Sequence, residues 1–161
     1  ERAFDLILID TGAGISEKVT DFVLSADRAF IVATPEPTSI ADAYAMVKVA
    51  TGDRADLPVG LIVNRARSPK EAHELHTKFE EIADRFLGLL VDKVGHLVED
   101  HEVERATRTQ HPVIVASPQS KSARCIQRTA AELAGHLDHT DHSQPGLFDR
   151  LPSRLSEDAV A

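Results

Sequence analysis

Short apolar runs, each ended by a polar residue and followed by a helix-like segment, constrain the fold more than any other feature. The first run is Phe4–Asp10, and similar runs follow at Ala29–Thr34 and Val59–Asn64. Such runs are typical of strands buried on both faces of a parallel sheet. The segments between them are long enough for crossover helices. The sequence therefore predicts an α/β fold built from βαβ units.

The remaining segments carry helix signals, with one further strand. Helices are predicted over 17–26, 38–50, 69–86, 100–109 and 120–136, where capping residues or prolines open the segments. A fourth strand is predicted within 89–98, and residues 111–115 are predicted to be a brief strand or extended. Residues 1–138 are therefore predicted to belong to one domain. The polar residues 139–161 predict a flexible tail.

Composition argues against a nucleic-acid-binding protein. The net charge of −8 does not favour contact with phosphate backbones, and aromatic residues make up 4% of the chain, with no Trp to stack on bases. The single Cys excludes an internal disulfide and fits a reducing cytoplasm. DNA is therefore not expected as a partner.

Asp10 is the residue whose position most strongly indicates a chemical role. It ends the first apolar run and precedes the turn Thr11–Gly14, which contains two glycines. A carboxylate at the carboxyl edge of a parallel sheet can bind Mg²⁺ directly or through water, beside a phosphate. Alternatively, a strand-terminal Asp only caps the next helix. The run alone leaves both interpretations open.

Three motifs follow one another along the chain: Ile-Leu-Ile-Asp-Thr-Gly-Ala-Gly at 7–14, Thr-Pro-Glu-Pro-Thr-Ser-Ile-Ala-Asp-Ala at 34–43 and Leu-Ile-Val-Asn-Arg at 61–65. Together, and in this order, they resemble the MinD/ParA family of P-loop ATPases, and most of all its flagellar-number regulators of the FlhG (YlxH/FleN) type. The resemblance covers about residues 4–135 and implies a three-layer P-loop NTPase fold of the MinD (SIMIBI) type.

The resemblance assigns roles to particular residues. Asp10 corresponds to the Walker B carboxylate on the Mg²⁺ side, and Thr11, Gly12 and Gly14 to switch II, the segment that responds to the γ-phosphate. Asn64 would hydrogen-bond adenine, with Arg65 beside it. The second adenine-contacting loop would fall at about Leu97–Asp100, with Val98 and Glu99 as the assigned contacts. ATP and Mg²⁺ are the implied cofactors.

The phosphate-binding loop of the family has no counterpart in the chain. No Gly-x-x-x-x-Gly-Lys-[Ser/Thr] motif is present, and the Gly-Lys dipeptide does not occur at all. An apolar run also begins almost at Glu1. We therefore expect a C-terminal portion of a longer ATPase, whose fold is incomplete without its N-terminal strands and which is inactive alone. The alternatives are a DNA-binding partition ATPase and a non-catalytic α/β interaction module.

The resemblance also implies partners. These are a second copy in an ATP-dependent homodimer and either a flagellar GTPase of the signal-recognition type (FlhF-like) or flagellar switch proteins. Residues 147–155 form a short amphipathic segment, which suggests peripheral contact with the inner face of the cell membrane, although Pro152 interrupts it. A cytoplasmic location is otherwise expected.

Overall fold

A computed structural model describes residues 6–137 and 147–152, except for the side chains of residues 136, 137 and 148. Their central element is a parallel sheet of three strands in the order β1–β2–β3. The strands are β1 (Ala29–Ala33), β2 (Val59–Ala66) and β3 (Asp92–Val98). The helices are α1 (Glu17–Ser25), α2 (Pro37–Asp53), α3 (Pro69–Leu87), α4 (His101–Arg108), α5 (Val113–Ala116), α6 (Lys121–Leu137) and α7 (Leu147–Arg150).

Helices α2 and α3 cover one face of the sheet. Leu61 and Val63 of β2 point to this face and join a core that includes Val47 of α2 and Phe79 of α3. Helix α3 has the sequence signals expected at both ends: the Ser68 hydroxyl accepts from the Glu71 N–H at 3.2 Å, and Gly88 closes the helix in the left-handed conformation with φ 65°. Apolar burial between these helices and the sheet is the main stabilising contribution.

Helix α6 packs on the opposite face, against β3. Gly95 pairs with Ile62, whose side chain points away from the α2–α3 core. A Cβ atom at Gly95 would lie 2.2 Å from Thr129 Oγ1 of α6, so the close approach of helix and strand requires glycine. Val32 of β1 lies on the same face as Ile62 and is 57% exposed. The described helices thus cover this face over β3 but not over β1.

The prediction of a buried strand at Phe4–Asp10 is wrong for its described part. Residues 6–10 form no strand and are exposed, Leu8 to 76%. Among the described strands, β1 pairs only with β2, and nothing pairs with its other edge. An apolar strand pattern favours burial, but a strand is stable only where a neighbour accepts its backbone hydrogen bonds.

Residues 111–115 also differ from the sequence prediction. Instead of an extended segment, Val113–Ala116 forms one helical turn, with the N–H groups of Val115 and Ala116 each donating to the Pro112 carbonyl at 2.9 Å. No described strand lies beside this segment to pair with it. The other predicted helices and strands are confirmed to within a few residues of their ends.

Helix α7 packs against the end of α1. Arg150 Nε donates to the Ser25 carbonyl at 2.8 Å, Ser25 Oγ donates to the Arg150 carbonyl at 3.2 Å, and Arg150 also pairs with Asp27. Leu151 follows and is buried. Residues 147–152 are therefore docked, whereas the rest of the predicted tail, residues 139–146 and 153–161, lies outside the described residues. The domain division itself stays a prediction.

Candidate functional site

The carboxyl ends of β2 and β3 bring four of the predicted site residues together. Ala66 of β2 pairs with Val98 of β3, and the Glu99 N–H donates to the Ala66 carbonyl at 2.8 Å. The pairing is irregular between Val63 and Ala66, so Asn64 and Arg65 lie in a bulged stretch at the edge of the sheet. Ligands of α/β folds bind at this edge.

Asn64 and Arg65 have unusual local geometry. The Asn64 side-chain oxygen accepts from the Arg65 N–H at 2.9 Å. Arg65 has φ 56°, in the left-handed region that residues other than glycine seldom adopt. Strained backbone of this kind is concentrated at functional sites. The contact fixes the direction of the Asn64 amide while leaving both of its N–H donors free for another partner.

Arg65 also faces the loop that follows β3. Its guanidinium lies 3.5 Å from a carboxylate oxygen of Glu99, and both side chains are more than half exposed. Solvent screens such a pair, so its contribution to stability is small. Its significance is positional, because it links the two strand ends that carry the predicted adenine contacts.

A pocket of about 500 Å³ opens beside these strand ends. It lies between the start of α4 and the start of α6, and it is lined by Glu99, Asp100, His101, Glu102, Gln119, Ser120, Lys121 and Arg124. Its volume is within the range of small-molecule sites. Glu99 is the residue that belongs both to this pocket and to the strand-end cluster.

Asp100 and Ser122 connect the starts of α4 and α6 beside this pocket. The sequence did not predict this connection. One carboxylate oxygen of Asp100 accepts from the Glu102 N–H at 3.1 Å and the other from the Ser122 N–H at 3.0 Å. The bonds from Ser122 and then from Glu102 lower the pKa of the Asp100 carboxyl below its ordinary value. Ser122 Oγ donates to the Val98 carbonyl at 3.0 Å. The helix-capping position of Asp100 was visible in the sequence, but nothing in the sequence signalled its contact with Ser122.

The other predicted site residues stand apart from this cluster. Asp10, Thr11, Gly12 and Gly14 lie in an exposed segment without regular structure that leads into α1, and Gly14 has φ 96°. Within the described residues, no hydrogen bond or ion pair joins this segment to Asn64 or to Glu99. The structure thus brings together the predicted adenine side but not the predicted phosphate side.

Asp10 is compatible with Mg²⁺ only as a single ligand. In residues 6–137 and 147–152, no group of three or more His, Cys, Asp or Glu side chains could hold a metal ion. Mg²⁺ commonly binds through one or two carboxylates, with waters and substrate phosphates completing its shell. A lone carboxylate therefore fits a metal that arrives with a nucleotide, and does not form a metal site of its own.

In the described part of the chain, no helix is both long and apolar enough to cross a bilayer.

Comparisons with known proteins agree with the fold. The chain is 35% identical over 129 residues to the antiactivator FleN of Pseudomonas aeruginosa, covering 80% of this chain and 46% of the relative. It is 33% identical over 161 residues to the septum site-determining protein MinD of Helicobacter pylori, covering 95% and 58%. No protein-family model matches the chain.

A solved structure gives the same result. The cell division ATPase MinD of Pyrococcus furiosus matches with a TM-score of 0.64 and 26% identity, covering 83% of this chain and 53% of that chain. The chain spans about half the length of the relatives that it matches. Homology over most of its residues and the shared parallel-sheet fold show that the chain is related to the FleN and MinD proteins and has the fold of the corresponding part of MinD.

Proposed function

We propose that this chain forms the base-binding side and the switch segment of an ATP-hydrolysing regulator. The observation that carries the proposal is the position of Asn64 near the carboxyl end of β2, next to Arg65, whose guanidinium lies 3.5 Å from Glu99 at the pocket. A base-binding site needs a directed donor and acceptor near a cleft, and the Asn64 amide supplies both.

Asn64 would read the adenine edge. Its amide presents donors and an acceptor on one plane, and the bond from the Arg65 N–H fixes that plane. Val98 and Glu99 would supply the second contact from the neighbouring strand end, and Arg65 would keep Glu99 close. A site of this kind distinguishes adenine from guanine by hydrogen bonds that one base satisfies and the other leaves unpaired.

Asp10 would serve the phosphate side. When bound, Mg²⁺ neutralises negative charge that develops on the phosphate groups. Asp10 would hold this ion through water, and the turn Thr11–Gly14 would change conformation when the γ-phosphate leaves. The exposed, unpaired state of this turn is compatible with a segment that becomes ordered only with nucleotide.

The name of one relative, a flagellum site-determining protein, favours the control of flagellar number or placement that the resemblance implies. Besides the antiactivator FleN, the flagellum site-determining protein YlxH of Helicobacter pylori is 28% identical over 137 residues. An ATP-dependent homodimer and a flagellar GTPase or switch protein as partner belong to the same proposal. Membrane contact through residues 147–155 would require α7 to leave α1, because Arg150 and Leu151 are engaged there.

The test is base discrimination by the complete gene product. We expect Asn64→Ala to weaken ATP binding about tenfold, the equivalent of about one well-placed hydrogen bond, with GTP affinity changed less than about twofold. Gln127→Ala, an exposed amide on α6, is the matched control and should bind as the wild type does. Equal affinity of the wild type for ATP and GTP, or equal behaviour of the two variants, would contradict the proposal. A complete absence of nucleotide binding would favour a non-catalytic interaction module.

A further inference from the structure

A buried hydrogen-bond network connects the Val98–Glu99 loop to the starts of two helices. The Asp100 side chain is 7% exposed, and its two oxygens accept from the N–H groups of Glu102 in α4 and Ser122 in α6. Ser122 is 1% exposed, and its hydroxyl donates to the Val98 carbonyl. Two side chains thus join residues that lie 22 to 24 positions apart in sequence.

Both polar groups of the Val98–Glu99 peptide are hydrogen-bonded. On one side, the Glu99 N–H is bonded to the Ala66 carbonyl of β2. On the other side, the Val98 carbonyl is bonded to Ser122, and Asp100 holds Ser122 in turn. The peptide between Val98 and Glu99 therefore has little freedom to shift relative to Asn64.

The two network residues are poorly suited to bind a ligand themselves. Each oxygen of Asp100 already accepts a backbone N–H, and Ser122 is buried. Their effect on any ligand in the pocket has to pass through the loop and helix starts that they hold. Hydrogen-bond recognition tolerates shifts of only a few tenths of an ångström, because distance and angle both matter.

We propose that Asp100 and Ser122 are positioning residues that set the base discrimination of the adenine site by fixing the Val98–Glu99 loop against Asn64. This inference rests on the proposed function. It goes beyond it in naming two residues whose side-chain oxygens are bonded to backbone groups. Loss of either residue should relax the choice between purine bases without altering the binding of the phosphates.

The experiment measures dissociation constants of the complete gene product for ATP, GTP and inorganic tripolyphosphate, which has no base. The variants are Asp100→Ala, Asp100→Asn, which keeps one acceptor, and Ser122→Ala, which removes only the bond to Val98. Glu104→Gln is the control, because this α4 carboxylate is exposed and pairs with Arg108 on the same helix. Thermal unfolding of each variant is recorded in parallel.

We expect the ratio of ATP to GTP affinity to fall about tenfold in Asp100→Ala and about threefold in Asp100→Asn and Ser122→Ala. Tripolyphosphate affinity should stay within about twofold of the wild type, a result that a merely structural role would not give. Unchanged ratios in Asp100→Ala and Ser122→Ala would overturn the inference. Parallel loss of ATP and tripolyphosphate binding in both variants would overturn it as well. Should Asp100→Ala fail to fold, Ser122→Ala decides the matter alone.

These outcomes are separable from failure of the proposed function. Suppose that the wild type discriminates between ATP and GTP through Asn64 and that the Asp100 and Ser122 variants keep the wild-type ratio. This result would contradict only the positioning role. A wild type that does not discriminate sinks the proposed function itself.

Discussion

Two stretches of this chain carry the same sequence pattern and have different structures. Residues 6–10 and residues 59–64 are both apolar runs ended by a polar side chain, Asp10 in one and Asn64 in the other. Residues 59–64 lie in the central strand of the sheet, between β1 and β3, where most of their side chains are buried. Residues 6–10 are exposed and pair with no described strand.

The difference teaches that an apolar run specifies burial but not its partner. Strand β2 acquires its structure because β1 and β3 take up its backbone hydrogen bonds and α2 and α3 cover one of its faces. The same composition at 6–10 finds neither. As a result, the predicted adenine side at Asn64 is assembled, whereas the predicted phosphate side at Asp10 is not.

The largest expected effect is on the free energy of unfolding, in variants that probe the core beneath β2 and residues 6–10. Phe79 is 1% exposed and packs in the core beneath β2, so Phe79→Ala should lower the free energy of unfolding of this chain by about 3–5 kcal/mol. Leu8→Ala should change it by less than about 0.5 kcal/mol, because Leu8 is exposed. Urea denaturation followed by circular dichroism measures both.

Comparable losses in the two variants would show that residues 6–10 are buried in solution and would break the comparison. The same Leu8→Ala substitution in the complete gene product extends the comparison between the two stretches. A loss of about 2–5 kcal/mol there would mean that the segment gains a partner which this chain does not provide.

The second prediction concerns turnover. In the complete gene product, Asp10→Ala should lower the rate of ATP hydrolysis about a hundredfold, because a carboxylate near Mg²⁺ acts mainly when charge develops on the phosphates. ATP affinity should change less than it does in Asn64→Ala. The matched control is Asp84→Ala, an exposed carboxylate on α3. Hydrolysis at the wild-type rate in Asp10→Ala would remove the Walker B assignment.

The sequence could predict those parts of the site that depend on local pattern, but not contacts between residues that are distant in sequence. Strand ends of a parallel sheet meet at one edge, so the proximity of Asn64 to Val98–Glu99 could be inferred from pattern alone. The Asp100–Ser122 contact could not, because it joins helix starts whose packing depends on the whole α6–β3 interface.

The same reasoning explains the wrong prediction at residues 111–115. The β-branched run Val113–Val115 has high strand propensity, but a strand also needs a neighbour. In its place the Pro112 carbonyl accepts two N–H groups and closes a helical turn. Local propensity was overridden by the absence of a pairing edge among the described strands.

The third prediction concerns the pH dependence of stability, which should reflect a buried histidine between α3 and β3. His76 is buried on α3 and bonds the Gly95 carbonyl of β3 at 3.1 Å. Burial lowers the pKa of His76 most strongly, the bond to the Gly95 carbonyl opposes this shift, and the positive charge of Lys93 with the neighbouring His96 and His73 adds to the lowering, so the net shift is downward. The unfolded chain therefore binds the proton more readily than the folded protein does. Stability should be greatest above about pH 6.5 and fall as pH decreases towards the folded pKa, by at most about 1.4 kcal/mol per pH unit.

Denaturation curves across this pH range, with His76→Gln, check the effect. The substitution should reduce the slope, and the remainder should come from His96, whose pKa is also lowered by burial. The exposed His111 provides the control, since His111→Gln should keep the full slope. A slope that persists unchanged in His76→Gln would mean that the pH dependence does not arise from the burial of His76.

The smallest expected effect concerns the Arg65–Glu99 pair, which is the most visible link between the two strand ends. Because both side chains are more than half exposed, a double-mutant cycle with Arg65→Ala and Glu99→Ala should give a coupling energy of at most about 0.5 kcal/mol in unfolding experiments. The exposed Lys70–Glu74 pair on α3, at 3.8 Å, is a matched reference and should give a similar value. A coupling well above that of the reference would mean that this surface pair holds the strand ends together. A coupling equal to it assigns that task to the Glu99–Ala66 backbone bond and the buried Asp100–Ser122 network, which residues 6–14 lack.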